Sequence, residues 1–518
     1  MARAQSGVEQ LIRKRVADHP DAPWVRFGDD VYSWADALAA MEQAATGYLE
    51  LGVRPGDRVA IMMRNRPEFL WAHFGLGLIG ASSVLVNTAQ RGRTLEHILA
   101  DARCTAVVAD AAFVDPIEAV RPRIPTLRHL VVADGGKGSW PLERLLDQPA
   151  GEPDVELDEP VGGLAGIMYT SGTTGPPKGV VTTGYDLTPM LELLKAFEVQ
   201  PGETIYTCLP LFHGNALGIS TVGSIVLDAQ IAYAERFSAS RLWDDCRRYG
   251  AVEFNTLGGM ITMLLKQPPR PDDRENPVRT VVSAACPEAT WREFEERFGV
   301  RIVEVFGMVD APGFLLNDIG KVGSMGRPIG GVEYRVVDES DQPLGPHQVG
   351  ELVFRHPKGQ LTEYNSLPDA TAQAYRGGWF HSGDLAEHDV EGFFYYRGGK
   401  KESMRRRGEN VSAWEIESVV IQQPAVLECA AHSVPSELGE DEIKLVVVPK
   451  PGETIDPVEL LDFCVGKMAY YAIPRYVEVL DEIPKTGTQR VEYATLRQRG
   501  ISPATWDREA AGYEVLRV

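Results

Sequence analysis

The stretch YTSGTTGPPKG, residues 169–179, packs five hydroxyl side chains, three glycines, two prolines and one lysine into eleven residues. A hydrophobic core has no use for that mixture, but an anion does. Glycines such as Gly172 let backbone N–H groups close on phosphate oxygens. Thr170, Ser171, Thr173 and Thr174 add hydroxyl donors, and Lys178 adds a point charge. The loop is not of the Walker A type. GxxxxGK[ST] is absent, and the residue five after Gly172 is Pro177, which disfavours a kinase or P-loop ATPase.

Other chemistry-bearing residues are spread along the chain. LPLFHGNA (209–216) holds His213, HSGD (381–384) ends in Asp384, and MRRRGENVS (404–412) sets Arg405, Arg406 and Arg407 before Gly408. Taken alone, His213 reads as a partly buried histidine and Asp384 as a turn residue. The arginine run reads as a solvated basic face or, in so acidic a chain, as an attractor for phosphate groups. Cys286 has no His/Asp partnership in the sequence and reads as inert packing.

Placing such groups requires a scaffold, and its pattern is legible. Residues 35–51 carry apolar side chains at helical spacing and lead into Gly52. Residues 57–63 (DRVAIMM) form a strand-like run, 68–82 a small-residue helix, and 102–110 and 127–134 brief buried strands. Such alternation predicts βα units and a largely parallel sheet. LAGIMYT (164–170) reads as a strand feeding the phosphate loop, and 148–160 and 266–277 read as surface loops. Past residue 340, GELVFR (350–355), GFFYYR (392–397) and IKLVVVPK (443–450) read as antiparallel strands. SAWEIESVVIQQ starts as a helix at the capping box of Ser412 and Glu415. The expected fold is α/β. A large multi-subdomain N-terminal domain, 1–397, has mostly parallel sheets sandwiched by helices. A small mobile α+β C-terminal domain, 398–518, is hinged near 398–402.

The 518 residues exceed one ordinary core. A formal net charge of −21 argues against binding nucleic acid or an anionic membrane. Six scattered cysteines without metal-ligand spacing read as reduced thiols of a cytoplasmic protein. The N-terminus lacks an apolar leader segment, and the apolar run 74–86 is too short for a membrane span.

YTSGTTGPPKGVV closely resembles the phosphate-loop motif of the adenylate-forming superfamily, which comprises acyl-CoA synthetases, luciferases and nonribosomal-peptide adenylation domains. The resemblance covers nearly the whole chain. LPLFHGNA is similar to the segment with the acyl-site gating histidine. FGMVDA (306–311) sits where the family has Tyr-Gly-x-Thr-Glu. GWFHSGDLAEHD (378–389) matches the ribose-binding segment, RRRGENVSAWEIE (405–417) the loop lining the thioester site, and PKTGTQRVEY (484–493) the place of Pro-Lys-Thr-x-x-Gly-Lys. HSVPSELGEDEIKLVVV and LPLFHGNA are most similar to medium-chain and carnitine-type acyl-CoA ligases.

The resemblance implies two steps. A carboxylate attacks the α-phosphate of Mg·ATP to give acyl-adenylate and pyrophosphate. The small domain then rotates, and the thiol of CoA displaces AMP. It also implies roles. Thr170, Ser171, Gly172, Thr173, Thr174, Lys178, Ala285, Phe306, Gly307, Val309, Asp310 and Asp384 would hold the nucleotide, with Asp310 the one candidate Mg²⁺ ligand. His213, Gly214, Gly218, Gly258, Gly259 and Ala284 would line the acyl site. Small residues there make room for a bulky acid or permit close backbone packing. Arg405, Arg406, Arg407 and Gly408 would meet CoA, and Arg490, His213 and Gly408 would serve catalysis.

Four positions depart from the family pattern, all on the first step. Arg490 replaces a lysine and follows Gln489 where the family has glycine. Val309 lacks the threonine hydroxyl, and Asp310 is a methylene shorter than glutamate. Gly399 stands where an arginine meets the ribose, with Arg397 two residues earlier as its expected substitute. Parts serving the second step match. The expectation is a ligase that mainly converts acyl-AMP and CoA to acyl-CoA and AMP, with a separate adenylating ligase as partner. The alternatives are a complete ATP-dependent synthetase, in which Arg490 does the lysine's work, and a noncatalytic acyl-adenylate sensor.

Overall fold

The alternating runs wind into two large sheets. In the computed structural model, residues 7–135, 140–155, 166–170, 176–183, 186–399, 403–437, 439–484 and 491–515 are described. The first sheet orders its strands as Arg327–Pro328, Phe314–Asn317, Arg301–Gly307, Thr280–Ala284, Ala251–Leu257, Thr204–Thr207, Gln230–Tyr233, Pro23–Phe27 and Asp30–Ser33. Neighbours from Arg301–Gly307 to Pro23–Phe27 are parallel. The second runs Thr362–Tyr364, Lys178–Thr182, Gly166–Thr170, Ser82–Leu85, Arg58–Met62, Ala106–Asp110, His129–Ala133 and Trp140–Pro141, parallel from Gly166–Thr170 onward.

Parallel strands need crossovers, and amphipathic helices supply them. Trp34–Leu51 starts at a reciprocal capping box of Ser33 and Asp36 and ends at Gly52, whose φ of 92° few other residues adopt. It buries Ala37, Met41, Ala44, Ala45 and Tyr48. The helix Pro67–Leu78 approaches so closely that a Cβ on Gly75 would lie 2.8 Å from that of Ala44. Glycine at 75 is a packing requirement.

A third sheet is antiparallel throughout: Glu333–Val337, Gly350–Arg355, Phe380–His388 and Phe394–Gly399. It carries Asp384. Beyond it come a hairpin (Ser403–Arg406 with Glu409–Ser412), the helix Ala413–Val420 and a sheet of Val426–Pro435, Asp441–Pro449, Tyr476–Val479 and Trp506–Asp507. The capping box read at Ser412 and Glu415 is present. Asp441–Pro449 is antiparallel to Val426–Pro435 but parallel to Tyr476–Val479, so this sheet is mixed. A separate core here includes Met404, Val411, Ile416, Leu445, Leu461 and Val477. The hinge residues 400–402 lie outside the described residues.

The arginine run is not one solvated face, and Arg406 is not available to CoA. Strand alternation turns Met404 and Arg406 inward and leaves Arg405 half-buried and Arg407 exposed. Arg406 Nη1 donates to the carbonyls of Tyr471 (2.9 Å) and Ile473 (2.7 Å), and its Nε lies 2.8 Å from Glu442. Burial pulls this guanidinium down to about 10. Arg406 braces the C-terminal core. Cys286 is buried, and burial pushes its thiol upward, as inert packing requires. Among the described residues no helix is long and apolar enough to cross a membrane.

Candidate active site between the sheets and the C-terminal hairpin

Gly166–Thr170 pairs with Lys178–Thr182 so that Thr170 faces Lys178, which sets both ends of the phosphate loop side by side. Ser171, Gly172, Thr173 and Thr174 lie outside the described residues, as does Arg490. At the loop's base, Thr170 Oγ1 (3.0 Å) and Tyr364 Oη (2.9 Å) both donate to Asp310 Oδ1. The Lys178 ammonium stands 4.7 Å above the Tyr364 ring. Burial pushes the Asp310 carboxyl up, against these hydrogen bonds and the charge of Lys178. Tyr364 had no signal in the sequence, since it lies 54 residues from Asp310.

Asp310 Oδ2 has no hydrogen bond among the described residues, and a single carboxylate oxygen suits Mg²⁺ that is otherwise held by phosphates and water. Bound there, the ion would neutralise triphosphate charge during attack on the α-phosphate. Val309 Cγ2 faces Gly214, 3.3 Å from where a Cβ on that glycine would be.

At the turn that carries Asp384, Ser382 Oγ donates to the Leu352 carbonyl (2.6 Å) and accepts from the Asp384 N–H (3.0 Å). Gly383, at φ 77°, donates to Glu351 Oε1 (3.3 Å). Asp341, Glu351 and His381 cluster closely enough to suggest a metal site. Arg376, however, reaches Asp341 at 3.2 Å and Glu351 at 3.3 Å, so a cation already serves both carboxylates. The group braces the turn beneath Asp384. Burial pushes Asp384 up to about 7, and Arg405 is the cation that opposes this.

Arg397 does not take the missing arginine's place. Leu385 pairs with Gly398 and Ala386 with Tyr396, so Arg397 is the extra residue of a bulge. Its guanidinium meets Glu387 at 2.8 Å and lies over Tyr395. A register shift of this kind cannot be read from the sequence.

Glu304, another residue missed, accepts the backbone N–H groups of Ala285 and Cys286 and so holds Ala285 at φ 63°. Burial pushes this carboxyl up to about 8. Gly258 and Gly259 do not make pocket room. A Cβ on Gly258 would sit 1.8 Å from the Ala285 carbonyl oxygen, and one on Gly259 would sit 2.9 Å from Glu440 Oε1. The first is a close backbone approach and the second a docking point for the C-terminal domain. Gly218 borders open space, and Gly214 and Ala284 are each half-buried. Phe306 is half-buried, while Gly307 is exposed and packs on the Phe314 ring.

The C-terminal hairpin is seated against Leu257 and His213. Gly408, at φ 80°, is so near Leu257 that a Cβ would lie 2.6 Å from its Cδ1. Glu409 Oε1 is 2.9 Å from His213 Nε2. Away from the hairpin, Asn87 Nδ2 donates to Tyr471 Oη at 3.0 Å. The Arg405 guanidinium is within electrostatic reach of His213, Glu304, Asp384, Glu440 and Asp441.

Burial and Arg405 disfavour the His213 imidazolium, but the charge and hydrogen bond of Glu409 outweigh them and raise its pKa. The attraction needs the charged imidazole. It is fully present below the ordinary histidine value of about 6.5 and is lost as pH rises through the raised one. Fluorescence transfer between dyes on the two domains should therefore report less docking on the alkaline side, and Glu409→Gln should flatten the profile. A docked fraction constant between about pH 6 and 9 in the parent protein would exclude this latch.

A strand-borne phosphate loop, a carboxylate in a tight turn on a separate sheet, and a C-terminal domain seated over the gap define a two-domain adenylate-forming enzyme. The family model of the AMP-binding enzyme matches residues 12–364, and that of the AMP-binding enzyme C-terminal domain matches residues 415–490. The chain belongs to the AMP-binding enzyme family. It is 29% identical over 484 residues to the crotonobetaine/carnitine–CoA ligase of Salmonella paratyphi B, covering 89% of this chain and 92% of that protein. A double mutant of o-succinylbenzoate CoA synthetase from Bacillus subtilis, bound to its product analogue OSB-NCoA, superposes with a TM-score of 0.81 at 23% identity, over 95% of this chain and 98% of that one. The same synthetase with its acyl-adenylate intermediate OSB-AMP gives 0.66 at 23% identity, over 94% and 97%. The fold is thus more similar to the former arrangement than to the latter.

Proposed function

We propose that the protein is an acyl-CoA ligase whose main reaction is thioesterification, acyl-AMP plus CoA giving acyl-CoA plus AMP. A separate adenylating ligase would supply the adenylate. The observation that carries this reading is the seated hairpin, with Gly408 on Leu257 and Glu409 on His213. The CoA sulfur attacks the acyl carbonyl carbon and the bond from that carbon to the phosphate oxygen breaks. AMP leaves with the electron pair, and the thiol proton passes to solvent. Asp384 holds the ribose. Glu409 draws His213 to one side of the thiol's path, past Gly408 and Gly214. The positive charge of Arg405, felt at Asp384, would offset the charge that grows on the departing phosphate.

Weak adenylation is supported by Val309, whose branches, one of them turned toward Gly214, offer no hydroxyl to a phosphate, and by Arg397, turned away to Glu387. Asp310 Oδ1 is also already occupied by two donors. The free Asp310 Oδ2, with Lys178 nearby, favours a second reading in which the enzyme runs both steps. Exchange of labelled pyrophosphate into ATP, with acid present, separates them. Exchange far slower than CoA-dependent turnover of presynthesised adenylate is expected. Exchange at a matching rate makes the enzyme a complete synthetase.

A further inference from the structure

We infer that Asn215 and Asn255 are a specificity-determining pair selecting acids that carry a neutral hydroxyl or amide a few carbons from the carboxylate. The inference deepens the thioesterification reading and rests on it. The strand Ala251–Leu257 ends at the site, where Leu257 meets Gly408. Side chains alternate along a strand, so Asn255 lies on the same face as Leu257, roughly 7 Å further in. The π-helical segment Asn215–Val222 runs inward from His213 and presents Asn215 to the same level. Asn255 Nδ2 donates to Asn215 Oδ1 at 2.6 Å.

The pair is incompletely satisfied. Asn255 is fully buried, yet its Oδ1 has no partner among the described residues. Asn215 is half-buried, and its Nδ2 makes no hydrogen bond among the described residues. Reversing both amides exchanges donor and acceptor but still leaves one of each unused. The surroundings at this level are apolar or small: Gly214, Gly218, Ile219 and Val282, with Ala284 two residues nearer the mouth, opposite Leu257. Open space adjoins Gly218, where an acyl chain would pass.

A buried donor and acceptor side by side match a group that itself both donates and accepts, which a hydroxyl or an amide does and a methyl does not. A charged group is disfavoured. Glu253, the next residue inward on this strand face, is fully buried with neither oxygen partnered among the described residues, and burial pushes its carboxyl well above the ordinary glutamate value. Gly214, Gly218, Ile219 and Val282, at the level of the asparagine pair, are themselves uncharged and offer nothing to balance an ammonium or a second carboxylate.

The test uses presynthesised acyl-adenylates of one chain length ending in hydroxyl, primary amide, methyl or ammonium, each turned over with CoA by the full-length protein. The parent protein should prefer the hydroxyl or amide over the methyl by on the order of 100-fold in kcat/KM. Asn215→Leu should bring that ratio within about fivefold of unity. Asn255→Ala should lower it as well, which guards against one variant failing to fold. The ratio is internal to each variant, so a merely structural role would not move it. Equal use of methyl and hydroxyl adenylates by the parent, a preference for ammonium, or a ratio unchanged in both variants would overturn the inference while leaving the thioesterification reading intact. Thioester from none of the adenylates would defeat that reading and the inference together.

Discussion

Restoring four residues together, Val309→Thr, Asp310→Glu, Gln489→Gly and Arg490→Lys, is expected to raise the rate of adenylate formation from free acid and ATP by about 100-fold or more. Such a gain is about 2.7 kcal/mol of transition-state stabilisation, and the parts can supply it. A threonine hydroxyl to a charged phosphate oxygen contributes roughly 1.5–3 kcal/mol. The isosteric swap fits, since the space at Gly214 already accommodates the Val309 branches. Lysine offers a compact ammonium in place of a planar guanidinium fork, and glycine before it has a wider choice of backbone conformations than glutamine. Glutamate extends the carboxylate by roughly 1.5 Å toward a bound metal. The gains should not add singly, because groups that act as one unit are non-additive. Pyrophosphate release reads the first step, and turnover of presynthesised adenylate reads the second, which should stay within about threefold of the parent protein. A variant with no faster pyrophosphate release would place the barrier to adenylation elsewhere.

The second large effect is at Gly408. Its φ of 80° is a conformation that a β-branched residue adopts only with strain, about 1–3 kcal/mol. A Cβ there would also lie 2.6 Å from Leu257 Cδ1. Gly408→Val should therefore lower CoA-dependent consumption of acyl-adenylate by about 100-fold, and Gly408→Ala by less. Affinity for the adenylate should change little, because Asp384, Thr170 and Lys178 stand on other elements. Single-turnover thioester formation, together with equilibrium titration of adenylate, checks both halves. Loss of affinity in proportion to loss of rate would put Gly408 in the nucleotide site rather than beside the thiol's path.

Local patterns were legible and distant ones were not. The strand Arg58–Met62, the helix Trp34–Leu51 and the Ser412–Glu415 cap follow from short-range spacing. Arg406 looked solvated because three arginines in a row suggest a charged face. The period of two, already set by Met404, places only the middle one inside. Gly258 and Gly259 told of missing side chains without telling whether space or a neighbouring atom lay opposite. Tyr364 with Asp310, Glu409 with His213, and Tyr471 with Asn87 join residues far apart in the chain. Such pairings exist only once the sheets and the C-terminal domain are assembled. The bulge at Arg397 is a property of strand register, which composition does not encode.

The most direct measurement supplies CoA with each member of an acid panel in two matched forms, free acid with Mg·ATP and presynthesised acyl-adenylate without ATP, and follows the thioester by mass spectrometry. A seated hairpin with weak first-step residues leads to thioester from the adenylate at a rate about 100-fold or more above that from the free acid. Equal rates from both forms would contradict it, and would mean that Arg490 carries out adenylation as well as a lysine does.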